Sequence, residues 1–104
     1  MRELKFIIVE DGEERIVRLG DSFPVGTPAF QYTDRKDKNG VELYEGDILA
    51  IPPHLGLIGD IEEEVILKFK KGHLNVDLDI EGCCWVIGNI RKDPERVKEF
   101  MSKE

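Results

Sequence analysis

Short apolar runs separated by glycine, proline and Asp-Gly steps organise most of the chain, and a helical period appears only near its end. Leu4–Val9 is rich in β-branched and aromatic residues and stops at Glu10-Asp11-Gly12, a hairpin signal because both turn positions tolerate positive φ. Arg15–Leu19 is the predicted return strand, closed by Gly20-Asp21. Pro24, Gly26 and Pro28 make Ser22–Pro28 a loop. Ala29–Thr33 is a short strand carrying Phe30 and Tyr32, and the polar run Asp34–Gly40 follows. Val41–Tyr44 is extended, and Glu45-Gly46-Asp47 turns the chain into the strand Ile48–Ile51, which Pro52-Pro53 ends.

In the second half, Glu62-Glu63-Glu64 precedes the strand Val65–Phe69, with Lys70-Lys71-Gly72 as the turn. Leu74, Val76, Leu78 and Ile80 alternate strictly with Asn75, Asp77, Asp79 and Glu81, which predicts a strand with one buried face. Gly82 then turns into Cys83–Ile90, a near-continuous apolar run that suits a central strand. The period changes after Asp93-Pro94, an N-cap followed by proline at the first helical position. Val97, Phe100 and Met101 form the apolar stripe of a short helix that must dock on the sheet. The predicted class is mainly β (α+β), a small irregular antiparallel β-barrel with a short C-terminal α-helix, in a single domain over residues 1–104.

The chain has 104 residues, with 22 Asp and Glu against 15 Lys and Arg and a formal charge of −7. That acidity disfavours non-specific binding to nucleic acid or to anionic membranes. No apolar run reaches the roughly 18 residues of a spanning helix, and Met1-Arg2-Glu3-Leu4-Lys5-Phe6 lacks the apolar core of a signal peptide. A cytoplasmic protein is therefore expected, without membrane contact. Cys83 and Cys84 are adjacent, which a regular strand does not allow to bridge, so both are expected as thiols. A zinc site joining them to His54 and His73 has the wrong spacing.

Two clusters could carry chemistry. The row Asp77, Asp79 and Glu81 could hold a divalent cation for a metal-dependent enzyme, although acids two apart are ordinary on a solvated strand face. Arg35, Lys36 and Lys38 form a basic loop flanked by Tyr32 and Tyr44, the pattern of a nucleic-acid-associated module. Asp34, Asp37 and Glu45 interleave with these cations and cancel most of their field, which favours a charge-balanced surface hairpin. No serine or cysteine has an obvious base and no phosphate-binding loop occurs. No catalytic residue, metal or cofactor is assigned.

The string from Gln31 to Ile48 resembles the signature of the YopX protein family of phages and prophages. Members read Tyr-Thr-Gly-Leu-Lys-Asp-Lys-Asn-Gly, then an acidic-aliphatic-Tyr-Glu-Gly-Asp block. Here these are Tyr32-Thr33-Asp34-Arg35-Lys36-Asp37-Lys38-Asn39-Gly40 and Glu42-Leu43-Tyr44-Glu45-Gly46-Asp47, with Asp34-Arg35 standing where the family prefers Gly-Leu. Val86-Ile87-Gly88-Asn89-Ile90 and Asp93-Pro94-Glu95 are similar to the family's usual close. The resemblance implies a β-rich irregular barrel with a C-terminal helix and no assigned reaction.

Physically, the signature suits corners of a closing sheet. Gly40 and Gly46 fit positive-φ positions, Asn39 forms turns, and Asp47 can accept turn N–H groups. Lys36, Asp37 and Lys38 are expected to brace their loop by local charge pairs. Tyr44 is expected to put its ring in the barrel and its hydroxyl near the rim. Gly88 marks a bulge or a close approach of another chain segment, with Asn89 bonding backbone groups in that irregular stretch. The candidate binding loop comprises Tyr32, Lys36, Asp37, Lys38, Asn39, Gly40, Tyr44, Glu45, Gly46 and Asp47, together with Gly88 and Asn89. The leading expectation is a non-enzymatic accessory protein of the bacterial host cytoplasm, binding a host or phage protein and forming a homo-oligomer.

Overall fold

The computed structural model describes residues 4–18, 20–22, 26–53, 62–76 and 80–102. Strands β1 (Lys5–Glu10) and β2 (Glu13–Arg18) pair antiparallel from Lys5↔Arg18 to Glu10↔Glu13. Their loop is Asp11-Gly12, with φ of 52° and 79°, the left-handed pair that a two-residue hairpin requires. On its other side β1 pairs with β3 (Phe30–Lys36), and β3 with β4 (Glu42–Tyr44), giving the order β2-β1-β3-β4. A second sheet has the order β6-β5-β9, built from β5 (Asp47–Ile51), β6 (Glu63–Ile66) and β9 (Trp85–Asn89). The hairpin β7 (Phe69–Lys70) and β8 (His73–Leu74) completes the β structure of the described residues. The expected barrel is present as a curled half-barrel with one short C-terminal helix.

Leu43, Leu49, Leu67, Ile80 and Cys84 are fully buried in one apolar cluster, and Ile7, Tyr32 and Tyr44 form a second. Burying side chains of this size stabilises the fold by about 1.5–3 kcal/mol each. The helix α2 (Pro94–Ser102) begins as its sequence predicts. Asp93 caps it, with Oδ1 accepting the Arg96 N–H at 3.2 Å. Val97 is buried and the Phe100 ring lies 6.0 Å from that of Phe30, but Met101 is exposed, so the stripe is narrower than the spacing suggests. No helix among the described residues is long and apolar enough to cross a membrane.

Three sequence expectations are corrected. First, Leu74–Ile80 is not one alternating strand: β8 stops at Leu74, and Ile80–Cys83 form a one-turn helix, α1. Val76 and Ile80 are both buried, and a spacing of four satisfies either period, so the pattern alone does not choose. Asn75 ends the strand by taking over its ladder: its side chain donates to Ile66 C=O and accepts from Lys68 N–H, and its backbone N–H donates to Lys68 C=O. Second, the run Cys83–Ile90 does not supply the central strand. β9 covers only Trp85–Asn89 and lies at a sheet edge, with β5 central. Third, β3 runs past Thr33 to Lys36.

That extension contains an irregularity. Tyr32 pairs with Tyr44 and Lys36 with Glu42, so β3 spends two more residues than β4 between these pairs. Asp34, inside the bulge, has φ of 64°, at the position where YopX-like sequences place glycine. The Thr33 hydroxyl substitutes for the broken ladder, donating to Leu43 C=O at 2.8 Å and accepting from Arg35 N–H at 3.2 Å. Asp34→Gly should raise stability by about 0.5–1 kcal/mol and Asp34→Val lower it by about 1–2 kcal/mol, because a β-branched residue resists the left-handed region. Urea midpoints check this, and a valine variant as stable as the parent would contradict it.

Candidate functional site

The candidate residues gather at two places, a corner between the sheets and a loop laid against β9. The corner is Glu45-Gly46-Asp47. Glu45 N–H donates to Gln31 C=O, Gly46 N–H to Leu67 C=O, Leu67 N–H to Asp47 C=O, and Ile90 N–H to Gly46 C=O, all at 2.9 Å. Gly46 has φ of 88°, and a Cβ there would stand 3.2 Å from Phe30 Cδ1 and 3.3 Å from Arg91 Cγ. Both the backbone conformation and the space therefore call for glycine.

Side chains reinforce the corner. Glu45 accepts from Gln31 N–H at 3.2 Å and from Phe69 N–H at 3.0 Å, one on each carboxylate oxygen. Asp47 is buried; Oδ2 accepts from Tyr44 N–H at 2.8 Å and Oδ1 from Arg91 Nη1 at 2.6 Å. Arg91 also donates to Glu45 C=O at 3.2 Å and to Glu14 Oε2 at 3.1 Å. Burial pushes the Asp47 carboxyl above its usual pKa range, with the Arg91 guanidinium and the Tyr44 N–H pulling the other way.

The second place is the loop 37–41. Asp37 is buried and its carboxylate accepts three backbone N–H groups: Asn39 at 2.8 Å and Val41 at 2.9 Å on Oδ1, and Val86 at 3.0 Å on Oδ2. Lys38 N–H donates to Cys84 C=O at 2.9 Å, and its ammonium lies 4.6 Å from the Trp85 ring centroid. Beside the expected local attraction between Lys38 and Asp37, backbone capture and a cation–π contact hold the loop. Burial raises the Asp37 pKa, but the three N–H donors outweigh it and hold the carboxyl below its usual value.

Tyr32 and Tyr44 pack at 5.2 Å between ring centroids, and the Lys5 ammonium lies 4.6 Å over Tyr32. Lys5 donates to both oxygens of Glu42, at 3.0 and 3.1 Å. Burial raises the Tyr32 pKa, and the Glu42 carboxylate, which accepts from its hydroxyl, adds to the effect. Because both rings are buried, neither gives a base a stacking face beside the Arg35–Lys38 loop. The Tyr44 hydroxyl is itself buried rather than at a rim. Gly88 sits at a register shift, with Ile48↔Gly88 followed by Leu49↔Val86, so the expected bulge is there. Asn89 accepts from Arg91 N–H at 3.0 Å, a bond to nearby backbone of the kind expected of it. Tyr44, Asp47, Gly88, Asn89 and Arg91 share the wall of a shallow cavity of about 250 Å³.

Other candidates disperse. Lys36, Asn39 and Gly40 are exposed at the loop surface. Asp77, Asp79 and His54 lie outside the described residues, Glu81 is exposed on α1, and His73 is exposed. Cys84 is buried and Cys83 half-buried, both as thiols outside any disulfide. Sequence reasoning passed over Arg91, Lys5 and Glu42. The one available signal was a cation standing directly against an apolar strand at Arg91 and Lys5.

Asp37→Asn sets an amide N–H₂ against backbone donors and is expected to cost about 2–4 kcal/mol. The folded-state pKa of Asp37 lies below its unfolded value, so its stabilisation is complete above the unfolded pKa and disappears as pH falls through the folded one. The asparagine variant should lose that portion of the acid dependence in urea titrations at several pH values; an unchanged midpoint would contradict the role. Arg91→Met leaves Asp47 buried without its cation and should cost about 3–5 kcal/mol, with Asp47→Asn on the same chain recovering part of it.

No curated protein and no solved structure matches the chain. The family model described as YopX protein matches residues 5–98, from the first residue of β1 into α2. That span contains the bulge, the loop 37–41, the corner and Arg91. The chain belongs to the YopX family.

Proposed function

We propose that this protein is a non-enzymatic binding module that works by docking onto a host or phage protein in the bacterial cytoplasm. The observation that carries this reading is the use made of the signature's acids. Asp37, Glu45 and Asp47 bind backbone N–H groups or the Arg91 guanidinium. In this reading the signature builds a frame, and the chemistry that selects a partner lies on outward surfaces. Strand β2 supports it: it is a sheet edge with Glu13, Glu14, Arg15 and Ile16 exposed. Such an edge can accept a further strand from a partner or from a second copy.

Two measurements on the intact chain decide the matter. Affinity purification from the bacterium that carries the gene should recover one protein in near-equal amount. That complex should re-form from purified components, as seen by light scattering. Incubation with a metabolite extract of the same cells should leave every metabolite unchanged. Protein-dependent depletion of a metabolite, abolished by boiling, would overturn the proposal.

A further inference from the structure

Against the acidity of the whole chain, one groove is basic and apolar together. It runs between α2 and the β7–β8 hairpin, as a cavity of about 700 Å³ adjoining one of about 360 Å³. Lys68, Lys70, Lys71 and Arg96 supply its charge, and Phe100 and Met101 its apolar wall. The acids on its lining are Glu45, engaged by the N–H groups of Gln31 and Phe69, and the exposed Glu99 of α2, which the four cations outnumber two to one. Lys68 is committed as well: Nζ donates to Phe100 C=O at 2.5 Å and lies 4.8 Å from the Phe100 ring centroid. Among the described residues, Lys70, Lys71 and Arg96 form no ion pair, and all three are exposed.

We infer that this groove is the docking site for an acidic polypeptide segment of the partner, one that interleaves carboxylates with apolar side chains. The inference rests on the binding-module reading and names the partner's chemistry. Charge complementarity selects the acidic residues: Lys70, Lys71 and Arg96 are exposed, so carboxylates can reach them while staying partly solvated. The apolar wall selects the rest, because Met101 is 45% exposed and gains from being covered. Single-stranded nucleic acid fits less well. The Phe100 face is occupied by Lys68 and the ring packs against Phe30, so it offers no open stacking platform. The net charge of −7 also opposes a polyphosphate more than a short peptide of lower charge density.

The test uses the ¹⁵N-labelled full chain titrated with a synthetic peptide alternating Glu with Leu and Phe. Oligothymidylate and a Lys-for-Glu peptide serve as comparisons. The acidic peptide should shift the amides of Lys68–Lys71, Arg96 and Met101, and bind more weakly as salt rises. The double variant Lys70→Glu/Lys71→Glu should retain its thermal midpoint and bind at least about tenfold more weakly, about 1.4 kcal/mol. Shifts confined to another surface, none at millimolar peptide, tighter binding of oligothymidylate, or self-association through these residues would each overturn the inference. A partner recovered from cells that binds the double variant as well as the parent would remove the groove alone. Metabolite turnover would remove the binding-module reading beneath it.

Discussion

A guanidinium that is 6% exposed must be paired or the fold bears the cost of a bare buried charge, and the arrangement around Arg91 follows from that requirement. Its partners come from Glu14 on β2 and from Glu45 and Asp47 in the corner. One side chain after β9 thus ties the outer hairpin to the junction of the two sheets. The junction in turn depends on Gly46, whose missing Cβ lets Phe30 and Arg91 close in. That closeness lets Ile90 N–H reach Gly46 C=O, and the chain leaves β9 already aimed at the Asp93 cap of α2.

The parts legible in the sequence are those whose cause is local. Asp11-Gly12 and Asp93-Pro94 specify their own backbone conformations, and the structure uses them as their chemistry dictates. The Gly88 bulge and the Asn89 bond to the backbone beside it are of the same kind. What stayed illegible was every contact whose partner is distant in the chain. Arg91 meets Asp47 across 44 residues and Glu14 across 77, and Asp37 reaches Val86 across 49. The segment after Leu74 failed for another reason. Its apolar spacing fits both periods at Val76 and Ile80, and Asn75 interrupted the ladder with its side chain.

The apolar run before Arg91 illustrates how composition misleads about position in a sheet. A strand this apolar suits the middle of a sheet, yet β9 is an edge and Ile87 is 46% exposed. The loop 37–41 covers the gap. Asp37 takes up the Val86 N–H, Lys38 N–H fills the Cys84 carbonyl, and the Lys38 ammonium covers Trp85. A strand edge with its polar groups so occupied is a poor template for pairing with another chain. The signature loop therefore blunts one edge, while β2 stays presented at the end of the other sheet.

The two buried acids of the signature secure the frame by opposite electrostatic routes. Asp37 has its pKa lowered by N–H donors and strengthens the fold as pH rises through its folded value. Asp47 has its pKa raised by burial, so its ionisation weakens the fold as pH rises, and Arg91 offsets that. Neither group is arranged to change its proton or its partner without loosening the corner or the loop. A frame held this tightly is a poor place to vary specificity, because each substitution there is paid for in stability. Lys70, Lys71 and Arg96 carry no such burden. On the proposed binding reading, chains sharing this frame would differ in partner by changing a few exposed cations of the β7–β8 hairpin and α2, with the corner and the loop untouched.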